Sequence, residues 1–405
     1  MNNWKTVKLG EVAISEKGKK PKNLAAERNE EFSIPYVDIK AFENRGIDNY
    51  TDGNNCRFCE PDDVLIVWDG ARCGLVGRGI KGAIGSTLAK IKSAKHNSSF
   101  LFYFLQKHYK IINSNPKGVG IPHIEPNLFW NLNLPLPPLA EQKKIVEKIE
   151  ELFSGLDSGV ASLKKAKEQI KLYRQSVLAA AFSGKLTTKF TKNTENLSEL
   201  SVLSGLPHGW KWVKLGEVTE VKRGKSKHRP RNAPFLFGGK YPFIQTGEIR
   251  EANGGTINSF TQTYSEAGLA QSKLWPKGTL CVSIAANIGE TAFLGFDACF
   301  PDSVVGIIPD DKIVEGKFIN YFFMREKQKI SELAPATAQK NINVDILMKL
   351  QAPLPSLDEQ TQIVSEIEKR FSEADNLEKA IDDSLEKSEA LRQSILSQAF
   401  SGKLV

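Results

Sequence analysis

The chain is written twice, and no other feature constrains its fold as strongly. Trp4-Lys-Thr-Val-Lys-Leu-Gly-Glu-Val12 returns as Trp210-Lys-Trp-Val-Lys-Leu-Gly-Glu-Val218, with eight of nine positions alike at an offset of 206. Pro135 to Asp157 returns as Pro353 to Asp375 at an offset of 218, with 13 of 23 positions identical. Leu172 to Leu186 returns as Ala390 to Leu404 at that same offset, with 10 of 15 identical. A period of this size is far beyond the ~20–50 residues of a solenoid repeat, so the chain is a duplicated domain pair. The edges of each half agree closely and the centres poorly. The halves therefore share a frame and differ in what it holds, and the second centre carries about a dozen extra residues, since the offset grows from 206 to 218.

The closely shared part reads as a long helix. Pro135-Leu136-Pro137-Pro138 is extended, because proline resists helix and ladder alike. From Glu141 the residues Ile145, Ile149, Leu152, Leu156, Gly159, Leu163, Ala166, Ile170, Tyr173, Val177 and Ala180 alternate by four and three. That is a heptad seam, and Gly184 supplies its stop. The second copy follows Pro353-Leu354-Pro355-Ser356, where Ser356 or Asp358 could cap. Its seam is Ile363, Ile367, Ala374, Leu377, Ile381, Leu391 and Ile395, with Phe371 and Leu385 widening it and Gly402 closing it. Each rod spans ~65 Å at ~1.5 Å per residue. A lone amphipathic rod cannot bury its stripe, so the two rods are expected to pack on each other rather than each on its own domain. The widened stripe leaves surface for a partner helix.

Between front and rod lie strand-like runs, such as Val64 to Trp68 and Leu280 to Ile284, each leading into a glycine turn. Phe100 to Gln106 and Phe318 to Met324 read as short aromatic helices. The expected fold class is α+β, with a strand-rich domain at 1–134, a rod at 135–186, a linker at 187–209, a second domain at 210–352 and a second rod at 353–405. The linker is rich in Thr, Ser and Asn and permits many arrangements.

Composition narrows the function. Lys and Arg number 55 against 47 Asp and Glu, a formal charge of +8 that leans towards an anionic partner. No apolar run approaches the ~20 residues that span a bilayer, and the first residues lack a signal-peptide core. Five sparse cysteines do not make a disulfide framework, so a reducing, cytoplasmic setting is expected.

The charge is concentrated. Lys222-Arg-Gly-Lys-Ser-Lys-His-Arg-Pro-Arg231 holds six formal cations and no acid, and the matching place in the first half is Lys17-Gly-Lys-Lys-Pro-Lys22. Basic loops at the same edge of two domains suit phosphate contact, through Lys19, Lys20 and Lys22 in one and Arg223, Lys225, Lys227, Arg229 and Arg231 in the other. A second loop pair precedes the proline stretch: Lys117 and His123 in the first half, and Gln339, Lys340 and Asn341 in the second. Gln and Asn can bond adenine bidentately and Lys can reach guanine. Arg72 and Asn287 sit in the glycine turns and join the candidate set.

Other motifs carry less. Cys56 and Cys59 have zinc-like spacing without a second pair. Asp302, Glu315 and Lys317 resemble a Mg²⁺-dependent nuclease arrangement and define an enzyme alternative. A coiled-coil scaffold with no DNA role is a third possibility. No nucleotide-binding loop, Gly-x-Ser-x-Gly elbow or His-Glu-x-x-His is present, so nothing looks built for bond-making.

The repeated Pro-Leu-Pro-x-Leu-x-Glu-Gln-x-x-Ile-Val and Arg-Gln-Ser-x-Leu…Ala-Phe-Ser-Gly-Lys-Leu, with the opening Trp-x-x-Val-Lys-Leu-Gly-Glu-Val, resemble the specificity (S) subunit of type I restriction-modification systems over nearly the whole chain. The resemblance implies a non-catalytic subunit with two target-recognition domains, each reading one half of a bipartite double-stranded DNA target. It implies rods paired as an antiparallel coiled coil, acting as a spacer and docking two modification (methyltransferase) subunits, to which restriction subunits are added. It places no cofactor on this chain; S-adenosylmethionine, ATP and Mg²⁺ would belong to the partners. The rod length then bounds the distance between half-sites at ~19 base pairs, at ~3.4 Å each.

Overall fold

The computed structural model describes residues 4–118, 120–186, 206–207, 209–334 and 341–405. Most of the linker, with Gln339 and Lys340, lies outside the described residues. Two compact units emerge: residues 1–165 with 381–405, and residues 166–380. Each unit holds one strand-rich domain and a part of both rods, which is a different grouping from one domain and one rod per half.

In the first unit an antiparallel sheet has the lateral order Ala13–Lys17, Leu88–Ser93, Val64–Val67, Val76–Arg78. Val64–Val67 is buried at every position, as an unbroken aliphatic run predicts for a strand covered on both faces. Val64 and Ile66 enter a core with the helix Ser98–Ser114, whereas Leu65 and Val67 enter a second core with Val37 and Phe42. That alternation is the period of two of a strand. The second core is roofed by a small mixed sheet ordered Tyr50–Thr51, Ile34–Val37, Gly82–Ile84, Phe58–Cys59.

In the second unit a sheet is ordered Thr219–Arg223, Val304–Pro309, Leu280–Ser283, Thr291–Leu294, Thr256–Ile257. Its first four strands repeat the order and antiparallel directions of the first unit's sheet, although their sequences agree poorly. Strands 13–17 and 219–223 are 206 apart and strands 64–67 and 280–283 are 216 apart, so most of the extra residues fall in 224–279. There the small sheet of the first unit gives way to a two-stranded antiparallel sheet of Phe237–Phe243 with Gln262–Tyr264, whose strands are separated in the chain by the helix Thr246–Ala252 and the strand Thr256–Ile257. The helices Ser98–Ser114 and Gly316–Glu332 have 17 residues each, longer than their aromatic runs suggest. The equivalent Ile112 and Ile330, both buried, extend the apolar face beyond the aromatics.

The frame is built the same way twice. Lys5–Lys8 pairs antiparallel with Asn133–Leu136, and Lys211–Lys214 with Gln351–Leu354, in equivalent register. The opening motif and the proline motif are thus two strands of one ribbon, which is why both recur. The rods are Leu139–Ala181, 43 residues, and Leu357–Phe400, 44 residues.

Within each unit the rod segments run antiparallel. In the first, Arg392 pairs with Asp157 and lies 4.2 Å from the Phe153 ring centre, while Ile395, Leu396, Ala399 and Phe400 share a core with Ile145 and Ile149. In the second, Lys167 pairs with Glu378 (3.7 Å) and Arg174 with Asp375 (2.6 Å), and Arg174 lies 5.2 Å from the Phe371 ring centre. Val177, Leu178 and Phe182 then meet Ile363, Val364 and Ile367. The expected seam is followed only in part. Gly159, Tyr173, Leu377 and Leu391 are exposed, because the domain cores at the rod ends select Val146, Phe153 and Leu178 beside the seam. The arginines then cover the flanking rings.

Candidate nucleic-acid interface

Three loops of each domain meet at one end of its sheet, and equivalent main-chain bonds stitch them together. In the first domain the Gly18 N–H donates to Leu88 O (2.9 Å), the Trp68 N–H to Thr87 O (2.8 Å) and the Ile124 N–H to Trp68 O (3.0 Å). In the second, the Gly224 N–H donates to Val304 O (2.8 Å), the Ile284 N–H to Ser303 O (3.0 Å) and the Ile342 N–H to Ile284 O (3.0 Å). Isolated bridges Asp69 to His123 and Ala285 to Asn341 complete the match. Basic loop, glycine turn and pre-helix loop are therefore neighbours in both domains.

The glycine shared by the two basic loops has a steric cause. A Cβ on Gly18 would sit 2.2 Å from Gly85 O, and one on Gly224 would sit 2.3 Å from Pro301 O. Each loop crosses the adjacent chain so closely that only hydrogen fits. Beyond Gly224 the loop alternates: Ser226 is buried, whereas Lys225 and Lys227 are exposed. The two lysines consequently project from one side of an extended segment.

The arginines behave differently. Arg223 Nε donates to Asp302 O, and Arg231 pairs with the Asp302 carboxylate at 2.6 Å. Arg229 Nη1 donates to Ser226 O (2.6 Å) and His228 O (2.8 Å). They shape the loop, and all three residues remain exposed. In the first domain Lys19, Lys20 and Lys22 are exposed, with Lys19 Nζ donating to Asn55 Oδ1 at 3.2 Å. Lys17 pairs with Asp69 of the glycine turn at 2.7 Å.

The remaining candidates fall around the same end. Arg72, exposed in its turn, pairs with Glu43. Lys117 and His123 exchange main-chain bonds of 2.9 Å, which closes the pre-helix loop into a tight β-bridge. Asn287 is half-buried in its turn and Asn341 is exposed. The equivalent turn residues Gly70 and Ala286 both have positive φ, 111° and 59°. An alanine there stores strain of about 1–3 kcal/mol, a feature no sequence motif signalled.

The nuclease alternative does not assemble. Asp302 is committed to Arg231 and Arg223. Lys317 pairs with Glu368 at 2.6 Å. The Glu315 main chain is bonded to Gln360, and burial pushes the Glu315 carboxyl up from its ordinary value. Asp302 was legible as an acid but not as the anchor of the basic loop. Lys17 was legible as part of the basic run but not as the partner of Asp69, and Gln142 and Gln360 as part of the repeated motif but not as buried hydrogen-bonding groups. Their repetition at equivalent positions was the available signal for the two glutamines.

Comparison with known proteins fits this geometry. The family model described as type I restriction modification DNA specificity domain matches residues 1–172 and again 207–387. The MjaVIII type I restriction enzyme specificity subunit of Methanocaldococcus jannaschii is 27% identical over 420 residues, covering 99% of this chain and 93% of the relative. The EcoBI specificity subunit of Escherichia coli is 29% identical over 364 residues, covering 85% and 74%. Among solved structures, one from work on complex assembly and conformational transition of the type I R-M system has a TM-score of 0.75 at 21% identity, covering 99% of this chain and 98% of that one. The HsdS subunit from Thermoanaerobacter tengcongensis has a TM-score of 0.54 at 21% identity, covering 99% and 97%. At those identities the structural likeness speaks for the fold.

Proposed function

Because the chain belongs to the family of type I restriction-modification DNA specificity subunits, we propose that each of its two domains reads one half of a split double-stranded DNA target through its three-loop end. One observation carries the reading. Two domains with divergent centres present the same three loops, held by the same main-chain bonds, and both basic loops lie in that set. Basic loops fix the duplex through phosphates, while turns and pre-helix loops carry the side chains that differ. Lys19, Lys20, Lys22, Lys225 and Lys227 take the phosphate role, with Arg223, Arg229 and Arg231 both shaping and contacting. Arg72, Lys117, His123, Asn287, Gln339, Lys340 and Asn341 are the base-side candidates.

The rods act as the spacer between readers and as the docking surface for two modification subunits, to which restriction subunits are added. S-adenosylmethionine, ATP and Mg²⁺ work on those partners, and this chain performs no bond-making step. Among the described residues no helix is long and apolar enough to cross a membrane.

The test is spacing. Once the target has been mapped by methylation of host DNA, duplexes with the gap lengthened or shortened by one base pair should bind the assembled complex at least tenfold more weakly. Equal affinity for all gaps would end the two-reader interpretation.

A further inference from the structure

The fourth residue of each rod is a glutamine that is fully buried. Gln142 and Gln360 are both 0% exposed, occupy equivalent places in the two copies of the proline motif, and make the same three bonds. In the first unit Gln142 Oε1 accepts from the Asn97 N–H (2.8 Å), and its Nε2 donates to Lys95 O (3.2 Å) and Pro137 O (2.9 Å). In the second, Gln360 Oε1 accepts from the Glu315 N–H (2.9 Å), and its Nε2 donates to Ile313 O (3.1 Å) and Pro355 O (3.1 Å).

One amide therefore ties three pieces of chain: the turn before the 17-residue helix, the proline stretch, and the rod's first turns. Asn97 and Glu315 are the residues that open those helices, so the bond fixes the helix start to the rod start. Only glutamine fits the role. Its carboxamide offers one acceptor and two donors on a planar end. Glutamate would lose the donors, asparagine falls one methylene short, and methionine offers neither.

All six partners are main-chain atoms. The turn is Lys95-His96-Asn97 in one domain and Ile313-Val314-Glu315 in the other, yet the joint is the same. A socket that reads backbone alone accepts domains of unrelated sequence, provided the turn has this shape. A buried polar group of this kind fixes geometry, because any other placement leaves it unsatisfied.

We infer that Gln142 and Gln360 are positioning residues: each locks a reading domain to its rod at a set angle, and thereby sets the spacing at which the domain meets DNA. The locking claim concerns each unit by itself; the spacing claim rests on the two-reader function proposed above.

The experiment uses the full chain carrying Gln142→Met, a swap of similar volume, with Gln360→Met and Gln142→Glu beside it. Hydrogen exchange read by mass spectrometry needs no DNA. Peptides covering Asn97 to Leu101 and Leu139 to Val146 should exchange at least tenfold faster in Gln142→Met, while those covering Val64–Val67 and Leu88–Ser93 keep the native rate. Gln142→Glu should exchange at least as fast as Gln142→Met at neutral pH, since its second carboxylate oxygen faces the Lys95 and Pro137 carbonyls with a buried, unpaired charge. Exchange within twofold of native overturns the joint. Sheet peptides that loosen together with the turn in both the Gln142→Met and Gln360→Met chains also overturn it, because the residues would then hold the fold rather than the angle.

The second readout is the gap series with the assembled complex. The native preference for its own gap should fall at least threefold in Gln142→Met, with discrimination against a mismatched half-site retained. Unchanged gap preference in the variant overturns the spacing claim. No gap preference in the native complex overturns the two-reader function instead, and leaves the exchange result to decide the joint.

Discussion

Six cations within ten residues repel one another, and the second basic loop is held against that repulsion by an acid that lies outside it. Asp302 takes Arg231 by its carboxylate and Arg223 by its carbonyl. Arg229 turns back on Ser226 and His228. Lys222 pairs with Glu220 at 2.5 Å, which leaves Lys225 and Lys227 as the exposed cations that project from the loop. Replacing both by alanine is expected to leave the thermal midpoint nearly unchanged, as for other exposed charges. DNA binding by the complex should weaken at every sequence, and the slope of log affinity against log salt should fall by about 2, or ~0.9 per phosphate contact. A salt titration of the binding constant checks it. Residue-scale chemistry also gives a pH effect. Burial holds His96 and His108 below the ordinary histidine value of 6.5. The unfolded chain therefore binds more protons than the folded one as pH falls below about 6.5, so stability is complete above that value and is lost beneath it. The thermal midpoint should drop between pH 7 and 5.5, and His96→Gln should lessen the drop.

At the scale of elements, the rod ends matter more than their middles. Phe400 packs against Phe100 and Phe104, with ring centres 4.9 and 5.5 Å apart, and Phe182 packs equivalently against Phe318 and Phe322 at 4.9 and 5.9 Å. Truncating Phe400 to alanine should destabilise the first unit by about 3–5 kcal/mol, measurable by denaturant unfolding, and Phe182→Ala should do the same to the second. The repeated Ala-Phe-Ser-Gly-Lys-Leu was visible in the sequence, but its role was not, because heptad spacing records which face is apolar and not which domain will cover it. The rods themselves, their proline starts and their glycine stops were legible, since period, punctuation and length all agreed. The shared four-stranded sheet was legible only as runs of aliphatic residues: its lateral order depends on contacts between distant segments. The candidate site was half-legible. Charge and glycine marked the basic loops. Nothing local showed that the turns at Arg72 and Asn287 would lie beside the loops at His123 and Asn341, because main-chain bonds bring them there.

At the scale of the molecule, similarity and difference are sorted by place. Ribbon, rod, glutamine joint and sheet order are common to both units, and the departures fall mostly in 18–63 and 224–279. A frame bonded largely through its backbone can carry different surfaces without being redesigned. The units are also composed unequally along the chain. Residues 166–380 form the second without a break, whereas the first needs residues 381–405 in addition to 1–165. A chain ended at residue 380 should lose the first unit's cooperative melting and keep the second's, as limited proteolysis followed by peptide mapping would show.

The need for residues 381–405 gives the order of synthesis a consequence. The domain that leaves the ribosome first is the one that must wait longest for its final piece. At ~5–20 residues per second, the ~235 residues between Lys165 and Phe400 take about 12–47 s to appear. Through that interval Phe100 and Phe104 lack their cap, and the earliest-made reader stands open to chaperones and proteases, while the later-made one has all of its chain before translation ends.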